Sequence, residues 1–495
     1  MKENFDNFVL FIFYSSLFLY FVTQYVIIIS VKKIIFFMPE KEIFKKAYIV
    51  TVDMGYGHQR AVYPLHEIAE QVTELSLSDY GIINANKYGG ISKSDQFKWE
   101  GGRKIYEKIS RLKHLPLLGN YIFGLMDYLQ RIEPFYPRRD LSRPTLQVKE
   151  IFSMIKKGWG KDLIDKLNKL EHLPYVTSFF TTAFFAEEHG YKGDIYCICT
   201  DTDISRAWAP LEPKRSRINY LVPNRRVKER LESYGIRENK ISITGFPLPK
   251  ENIGGLKLEI LKKNLASRIV NLDPEERYRS KHKYTMSKFL GTKLCSQCSE
   301  PDHPLTITFA VGGAGAQREL GAEIASSLRE EIFKGKIRLN LVAGIKDDVF
   351  RYYQAILKDL NLSERINKNI FLIYSVNSKF DYFKRFNEIL NTTDILWTKP
   401  SELSFYAGLG LPIIIAPTIG SQEEFNKNWL TSVGAGVEQE DPRYTNEWLK
   451  DWLASGWLAD AAMNGFLNAP RNGAYHTEDI VLRGEKSEIE DMHLF

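Results

Sequence analysis

The sequence predicts an α/β protein in which two doubly wound parallel sheets face each other. Short apolar runs of strand length alternate with helical patterns over most of the 495 residues. Two of these runs, Ala47 to Val52 and Leu305 to Val311, each end in a glycine turn that opens a helix. A Gly/Pro stretch from Gly245 to Pro249 separates the two halves of the pattern. Because strands and helices alternate in both halves, we expect two parallel sheets with a cleft between them.

The composition is that of a globular chain too long for one core. Hydrophobic residues make up 44% of the chain and charged residues 26%, and the formal net charge is +6. Basic and acidic residues are interleaved, so we expect no nucleic-acid partner. A modest basic surface is compatible with anionic lipid. The four cysteines are too few for a disulfide framework and favour a reducing compartment.

The pattern predicts six segments. In order, they are a candidate membrane anchor or over-extended start (1–37), a first doubly wound domain (47–249), a charged helical approach (250–304), a second doubly wound domain (305–440), closing helices (441–469) and a polar tail (470–495).

An uncharged stretch, Phe8 to Val31, precedes the first domain. As a helix it would reach about 36 Å, enough to cross a hydrocarbon core of about 30 Å. Basic residues follow it and acidic residues precede it, which predicts membrane association with the main body in the cytoplasm. The alternative is translation from Met38, which predicts a soluble cytoplasmic protein.

The first glycine turn carries a histidine. Asp53 to Arg60 reads DMGYGHQR, and His58 stands at the predicted start of the helix. The positive potential there lowers the pKa of an imidazole and keeps it neutral, so that it could accept a proton from a hydroxyl group. Alternatively, His58 hydrogen-bonds a phosphate or caps the turn.

The second glycine turn, Gly312 to Gln317, places bare backbone N–H groups at the end of a strand and the start of a helix. Phosphate groups bind at such positions in α/β proteins. The alternative is that these glycines only permit tight packing of strand against helix.

Two short patterns could bind a metal ion. Cys295 and Cys298 form half of a zinc signature, but no second pair follows. Asp201 and Asp203 follow a predicted strand and could hold a divalent cation, although acidic residues are also common in turns.

Several motifs, in order, resemble those of glycosyltransferases of the two-Rossmann GT-B type. The resemblance is to the branch that contains monogalactosyldiacylglycerol synthase and the lipid-linked N-acetylglucosaminyltransferase of peptidoglycan synthesis. It covers about residues 47 to 440 and is weak from 80 to 170. The motifs are Asp53-Met54-Gly55-Tyr56-Gly57-His58, Thr200-Asp201, Trp208-Ala209-Pro210, Gly245-Phe246-Pro247-Leu248, Gly312-Gly313-Ala314-Gly315-Ala316-Gln317, Thr398-Lys399-Pro400, Gly410-Leu411-Pro412 and Gly420 to Asn426.

This resemblance implies two Rossmann-like domains, with a nucleotide-sugar donor, usually a UDP-sugar, seated in the second. The diphosphate would lie on the second glycine turn, and Gln422 and Glu423 would bond the hydroxyls of the sugar. The donor-binding residues that it implies are Gly312, Gly313, Gly315, Ala316, Gln317, Lys399, Glu402, Gln422, Glu423 and Asn426.

The acceptor, commonly a membrane lipid or lipid-linked hydroxyl in this branch, would approach His58 as general base. Transfer would be direct, with inversion, and backbone dipoles would stabilise the leaving diphosphate, so we expect no metal and no cofactor. The alternatives are an epimerase of the same fold, which needs carboxylates near C2 of the sugar, and a non-catalytic sugar-nucleotide-binding protein. The implied acceptor-side residues are Gly55, Tyr56, Gly57, Asp201 and Trp208.

Two positions depart from the family pattern. The acid that clasps the nucleotide ribose usually lies about five residues before Gly-Leu-Pro, where this chain has Phe405. Glu402, the nearest acid, lies three residues earlier, about one helical turn away. Either the helix start is shifted and Glu402 takes over this role, or ribose binding is weakened. Tyr56 stands where a small residue is frequent, so we expect an acceptor pocket that is narrower or that stacks a ring.

Overall fold

The computed structural model of the protein describes residues 45–76, 79–101, 131–298, 300–310, 312, 315, 317–376, 378–418 and 421–484. The candidate anchor (1–37) and three positions of the second glycine turn, Gly313, Ala314 and Ala316, lie outside these residues. Within the described ranges, no helix has both the length and the apolar character that crossing a bilayer requires.

The first half of the chain forms a sheet of six parallel strands in the order β2-β1-β3-β4-β5-β6. Every residue of β1 and β4 is buried, because helices cover both faces of a parallel sheet. The strands are β1 Tyr48–Thr51, β2 Ile83–Asn84, β3 Tyr175–Thr177, β4 Ile195–Ile198, β5 Asn219–Val222 and β6 Ile241–Ile243. The helices are α1 Gly57–Val62, α2 Leu146–Lys156, α3 Lys161–Leu167, α4 Phe180–Glu188 and α5 Arg225–Ser233, with 3₁₀ segments at Tyr63–Ile68, Arg206–Trp208, Pro213–Arg215 and Glu238–Lys240.

A run of connecting helices joins the two sheets. They are α6 Lys250–Ile253, α7 Glu259–Leu272, α8 Arg277–Lys281, α9 Lys283–Phe289 and α10 Thr292–Gln297. The α7 helix is held to the second half by Arg268, a buried residue whose guanidinium donates to the carbonyls of Thr393, Leu409 and Gly410 at 2.7 to 2.9 Å.

The second half forms another sheet of six parallel strands, in the order β12-β11-β10-β7-β8-β9. This is the 3-2-1-4-5-6 order of dinucleotide-binding α/β domains. The strands are β7 Leu305–Ala310, β8 Ile337–Gly344, β9 Ile370–Tyr374, β10 Ile395–Thr398, β11 Ile413–Ile415 and β12 Gly436–Glu438. The helices are α11 Arg318–Ser327, α12 Arg329–Phe333, α13 Asp347–Asp359, α14 Lys379–Leu390 and α15 Ser421–Ser432, with 3₁₀ segments at Ser363–Arg365 and Glu402–Leu409. The prediction of two Rossmann-like, doubly wound parallel sheets is confirmed.

The C-terminal helices bring the chain back to the first half. They are α16 Thr445–Ser455, α17 Trp457–Asn468 and α18 Gly473–Arg483, after a 3₁₀ segment at Pro442–Tyr444. In α18, Nδ1 of His476 donates to the carbonyl oxygen of Thr244, just after β6, at 2.8 Å. Ala474 and Val481 of this helix are buried, so the segment predicted as a polar tail contains a packed helix.

Candidate functional site

Both glycine turns lie where the order of strands in their sheet reverses direction. In the first sheet the reversal falls between β1 and β3, and in the second between β7 and β10. Ligands of open α/β sheets bind beyond the carboxyl ends of the strands at such positions. Topology therefore places the candidate site where the two predicted turns lie.

The imidazole of His58 bridges the first reversal point. Its Nδ1 lies 2.8 Å from the carbonyl oxygen of Ser178, the residue that follows β3, and the Ser178 hydroxyl donates to the His58 carbonyl at 2.7 Å. A carbonyl can only accept, so Nδ1 carries the proton in the neutral ring, and Nε2 carries the lone pair. Phe179 and Trp208 pack against the ring, with centroids 4.8 and 6.5 Å away.

Burial lowers the pKa of His58 to about 4, while the Ser178 carbonyl and the Glu402 carboxylate act in the opposite direction. The sequence predicts a neutral imidazole because of the helix start; in the structure, loss of solvent is the largest cause. At neutral pH the ring is therefore an unprotonated acceptor at Nε2.

At the second reversal point, Lys399 follows β10, and its side chain packs against the glycine turn that follows β7. Ala310 pairs with Thr398 in the sheet, which brings the next residue, Lys399, beside Gly312. A Cβ atom on Gly312 would lie 2.5 Å from Cε of Lys399, so the lysine side chain packs directly against this glycine and would have to move if the residue were larger. The Lys399 ammonium forms an ion pair with Glu423 of α15.

The described part of the second turn is a tight one. The amide of Gly315 donates to the carbonyl of Gly312 at 2.8 Å, and Gly315 has a φ of +72°. Gln317 also has a positive φ, +67°, and its side-chain amide donates to the carbonyl of Pro417 at 2.7 Å. Gln317 is thus tied to the loop after β11. Gln422, in the first turn of α15, is partly exposed.

Asn426 joins the two halves of the site. Its side-chain oxygen accepts from the backbone and the hydroxyl of Thr202, at 3.0 and 2.8 Å, and its amide donates to Asp201 and to the carbonyl of Pro400, at 3.4 and 3.3 Å. Asn426 is 1% exposed, so its polar groups are occupied by these contacts, of which those to Thr202 and Asp201 link the second half to the first.

Three carboxylates lie close together at this boundary. Burial raises the pKa of Asp201 to about 6, and the charges of Glu402 and Glu423 add to the effect, whereas Asn426 and Lys399 oppose it. Asp201 belongs to the first domain and the two glutamates to the second. Asp201, a predicted acceptor-side residue, therefore lies close enough to the two predicted donor-side glutamates for their charges to affect its pKa.

Glu402 faces the first domain. Its Oε1 lies 3.2 Å from Nε of Arg60, and a Cβ atom on Gly57 would lie 3.3 Å from its Oε2. Phe405, at the position of the ribose-clasping acid in the resembled family, is buried and stacks on Phe246 with ring centroids 4.7 Å apart.

Tyr56 packs into the second domain. It is 6% exposed, its hydroxyl accepts from the amide of Ile345 at 3.1 Å, and its ring contacts Tyr382 at 5.0 Å between centroids. The neighbouring Gly55 is exposed and has a φ of +90°, with open space where a Cβ would be. In the turn before His58, the Tyr56 side chain thus packs on the second domain, whereas Gly55 is exposed to solvent.

Three residues that contact the predicted site are not among the predicted site residues: Ser178, Arg60 and Lys379. Lys379, the first residue of α14, forms an ion pair with Asp53 of the first turn. Arg60 lies two positions after His58, and this proximity is its only signal in the sequence.

Neither of the two patterns considered for metal binding brings three ligands together within the described residues. Asp203 is buried and accepts from Arg230 twice at 2.8 Å and from Arg226 at 3.0 Å, which saturates its carboxylate. Cys295 and Cys298 are free, half-buried thiols whose pKa values burial raises. Across the described residues, no group of three or more His, Cys, Asp or Glu side chains could hold a metal ion.

Residues 295–479, less than half of the chain, match a protein family described as a domain of unknown function (DUF6938). Comparison with curated proteins gives no match.

Among solved structures, MnaA of S. aureus in a co-structure with UDP is similar, with a TM-score of 0.43 and 11% identity over 90% of this chain and 99% of that one. MurG of Acinetobacter baumannii gives a TM-score of 0.42 and 11% identity over 88% and 99% of the two chains. A glycosyltransferase from Rickettsia africae gives 0.35 and 13% over 89% and 100%. The site described above stands on the geometry of this chain alone.

Proposed function

We propose that this protein is a glycosyltransferase that moves a sugar from a nucleotide-diphosphate sugar, most simply a UDP-sugar, to a hydroxyl group of a lipid or lipid-linked acceptor at the cytoplasmic membrane face. The observation that carries the proposal is the tautomer of His58. With Nδ1 committed to Ser178, the lone pair on Nε2 is available to an acceptor hydroxyl, at the same boundary as the Lys399 and Gly312 turn.

In the proposed reaction, the acceptor oxygen attacks the anomeric carbon while the bond from that carbon to the diphosphate oxygen breaks. The hydroxyl proton passes to Nε2 of His58, and the leaving diphosphate takes the bonding electrons. The positive charge that develops on the imidazole is stabilised by the Glu402 carboxylate, which packs against Gly57, the residue before His58. Because that stabilisation arises only as the proton moves, it lowers the barrier rather than favouring the ground state.

On the donor side, we assign the negative charge of the diphosphate to the Lys399 ammonium and to the backbone amides of the second glycine turn. Lys399 forms an ion pair with Glu423 in the structure. Donor binding would therefore exchange a carboxylate partner for a phosphate, and it would release Glu423 to bond a sugar hydroxyl.

The test is incubation of the purified protein with UDP- and GDP-sugars and a membrane lipid extract, followed by detection of labelled lipid. We expect His58→Ala to lower turnover by about 10² to 10⁴, as for removal of a general base, and Gln422→Ala to lower it as well. His172→Ala is the matched control, because His172 is exposed and lies outside the site. Nucleotide binding without turnover of any sugar would contradict the proposal.

A second candidate is epimerisation of a sugar nucleotide at C2, favoured by one observation. Asp201, with a pKa raised to about 6, lies beside two further carboxylates, Glu402 and Glu423. Such a cluster could remove a proton from one face of a carbon and return one to the other. Incubation in D₂O separates the candidates: an epimerase places deuterium at C2 of the recovered sugar nucleotide, whereas a transferase leaves it unlabelled.

A further inference from the structure

Arg60 reaches from the first domain into an aromatic cage of the second. Its side chain is 2% exposed, and its Nη2 donates to the hydroxyl of Tyr382 at 2.7 Å. The central carbon of the guanidinium lies 4.4 to 5.9 Å from the centroids of four rings, those of Tyr382, Phe383, Phe386 and Tyr406. A cation in this position belongs structurally to both domains.

A buried guanidinium requires a partner, because removing a charge from water is costly unless the charge is paired and hydrogen-bonded. The Glu402 carboxylate supplies the opposite charge at 3.2 Å and is itself only 12% exposed. Each charge therefore fixes the other, and the aromatic rings restrict where the guanidinium can lie. The position of Glu402 follows from the position of Arg60.

That position is against the turn that holds His58. The second oxygen of Glu402 would lie 3.3 Å from a Cβ atom on Gly57, so the carboxylate packs closely against this glycine, the residue before His58. Phe405, one 3₁₀ turn later, instead stacks on Phe246 in the Gly/Pro stretch from Gly245 to Pro249 that joins the two halves, here called the hinge. Glu402 is thus placed at the proposed base rather than toward the hinge.

We infer that Arg60 is a positioning residue that places Glu402 beside His58 when the two domains are closed on each other. The inference rests on the proposed function, in which His58 takes the proton. It assigns Glu402 to the proton-transfer step and not to recognition of the nucleotide ribose.

The first test needs no activity and uses hydrogen–deuterium exchange of the full chain. In Arg60→Met, we expect exchange of the Glu402–Leu409 segment, in the other domain, to rise by about tenfold. Arg60→Lys keeps the charge but loses the planar fork, so exchange should lie between wild type and Arg60→Met. Arg279→Met is the control, since Arg279 is a half-buried arginine that pairs with Asp273 within the connecting helices.

Unchanged exchange at Glu402–Leu409 in both Arg60 variants would overturn the inference. If Arg60→Met does not fold, Arg60→Lys and Glu402→Gln decide it, and for Glu402→Gln the reciprocal rise is expected at Gly57–Val62.

The second test separates proton transfer from donor binding. Arg60→Lys and Glu402→Gln should each lower kcat at least about tenfold, with the donor KM within about threefold of wild type. A raised donor KM at unchanged kcat would instead assign Glu402 to the nucleotide and overturn the inference. Wild type that transfers no sugar would contradict the proposed function, whereas the exchange experiment would still decide the role of Arg60.

Discussion

The hydroxyl of Tyr56 lies in a notch of the second domain that exists because residue 344 is glycine. A Cβ atom on Gly344 would lie 2.3 Å from that hydroxyl oxygen, and Gly344 has a φ of +66°. The first glycine turn is thus fitted to the end of β8.

Substitution of Gly344 tests this fit. We expect Gly344→Ala to destabilise the protein by about 2 kcal/mol, from overpacking and an unfavourable φ, measured as a lower Tm. Adding Tyr56→Phe removes the clashing oxygen, so the double variant should recover part of the loss. A double variant no more stable than Gly344→Ala would contradict the fit.

His58 predicts a pH dependence of stability. Its folded pKa of about 4 lies below the unfolded value of 6.5, so the folded state binds fewer protons between these values and loses stability as pH falls from 6.5 to 4. Glutamine does not titrate, so we expect the free energy of unfolding of His58→Gln to fall less than that of wild type over this pH range. The difference should be on the order of 2 kcal/mol. Tm measured in half-unit steps of pH checks this; parallel curves for the two proteins would refute it.

Asp201 and Asp203, two residues apart, should respond oppositely to replacement by asparagine. Burial raises the pKa of Asp201 to about 6, so the folded state binds more protons than the unfolded one between about 3.8 and 6, and the charged form opposes folding above that range. Asp201→Asn should therefore raise Tm at pH 8 and change it little at pH 4.

Asp203→Asn is the matched control at the neighbouring position. It leaves the buried Arg230 without its carboxylate, and we expect a loss of about 3 kcal/mol at pH 8. A Tm change of the same sign in both variants at pH 8 would show that burial does not oppose the charge of Asp201.

Phe405 is a packing residue at the hinge, so replacing it should affect stability rather than nucleotide binding. Phe405→Ala should cost about 3 to 5 kcal/mol, because the ring is buried and stacks on Phe246. Phe405→Leu, which keeps most of the volume, should cost less and bind UDP as wild type does. Calorimetric titration with UDP checks this, and a large loss of affinity in Phe405→Leu would assign the residue to the nucleotide.

The N-terminal apolar stretch, which lies outside the described residues, predicts membrane association. In cell fractionation, we expect the full chain to sediment with membranes and a chain that starts at Met38 to do so less. Equal distribution of the two chains between membrane and supernatant would contradict the prediction that this stretch is a membrane anchor.

Sheet composition and order of elements are predictable from the sequence because buried parallel strands read as uninterrupted apolar runs. The run from Ala47 to Val52 contains β1, and Pro412 to Ala416 contains β11. The region from 80 to 170 is not predictable in this way. Its described part carries short helices and only one strand of two residues, β2, so period and length give little signal.

The candidate site, too, is predictable from the sequence only in part. Placement of His58 and Lys399 at strand ends follows from local pattern, since each lies within a few residues of its strand. The pairing of Arg60 with Glu402, 342 residues apart, does not follow from any spacing.

By itself, then, the sequence determined the two parallel sheets and the two glycine turns, because backbone geometry and strand burial are encoded within a few residues of each other. Only the tertiary structure decided that Glu402 faces His58, that Phe405 fills the hinge, and that Asp203 is neutralised by arginines while Asp201 is not. Those outcomes depend on which charged and aromatic side chains from distant parts of the chain are buried against each other. Such contacts form only when the whole chain folds, so no local pattern predicts them.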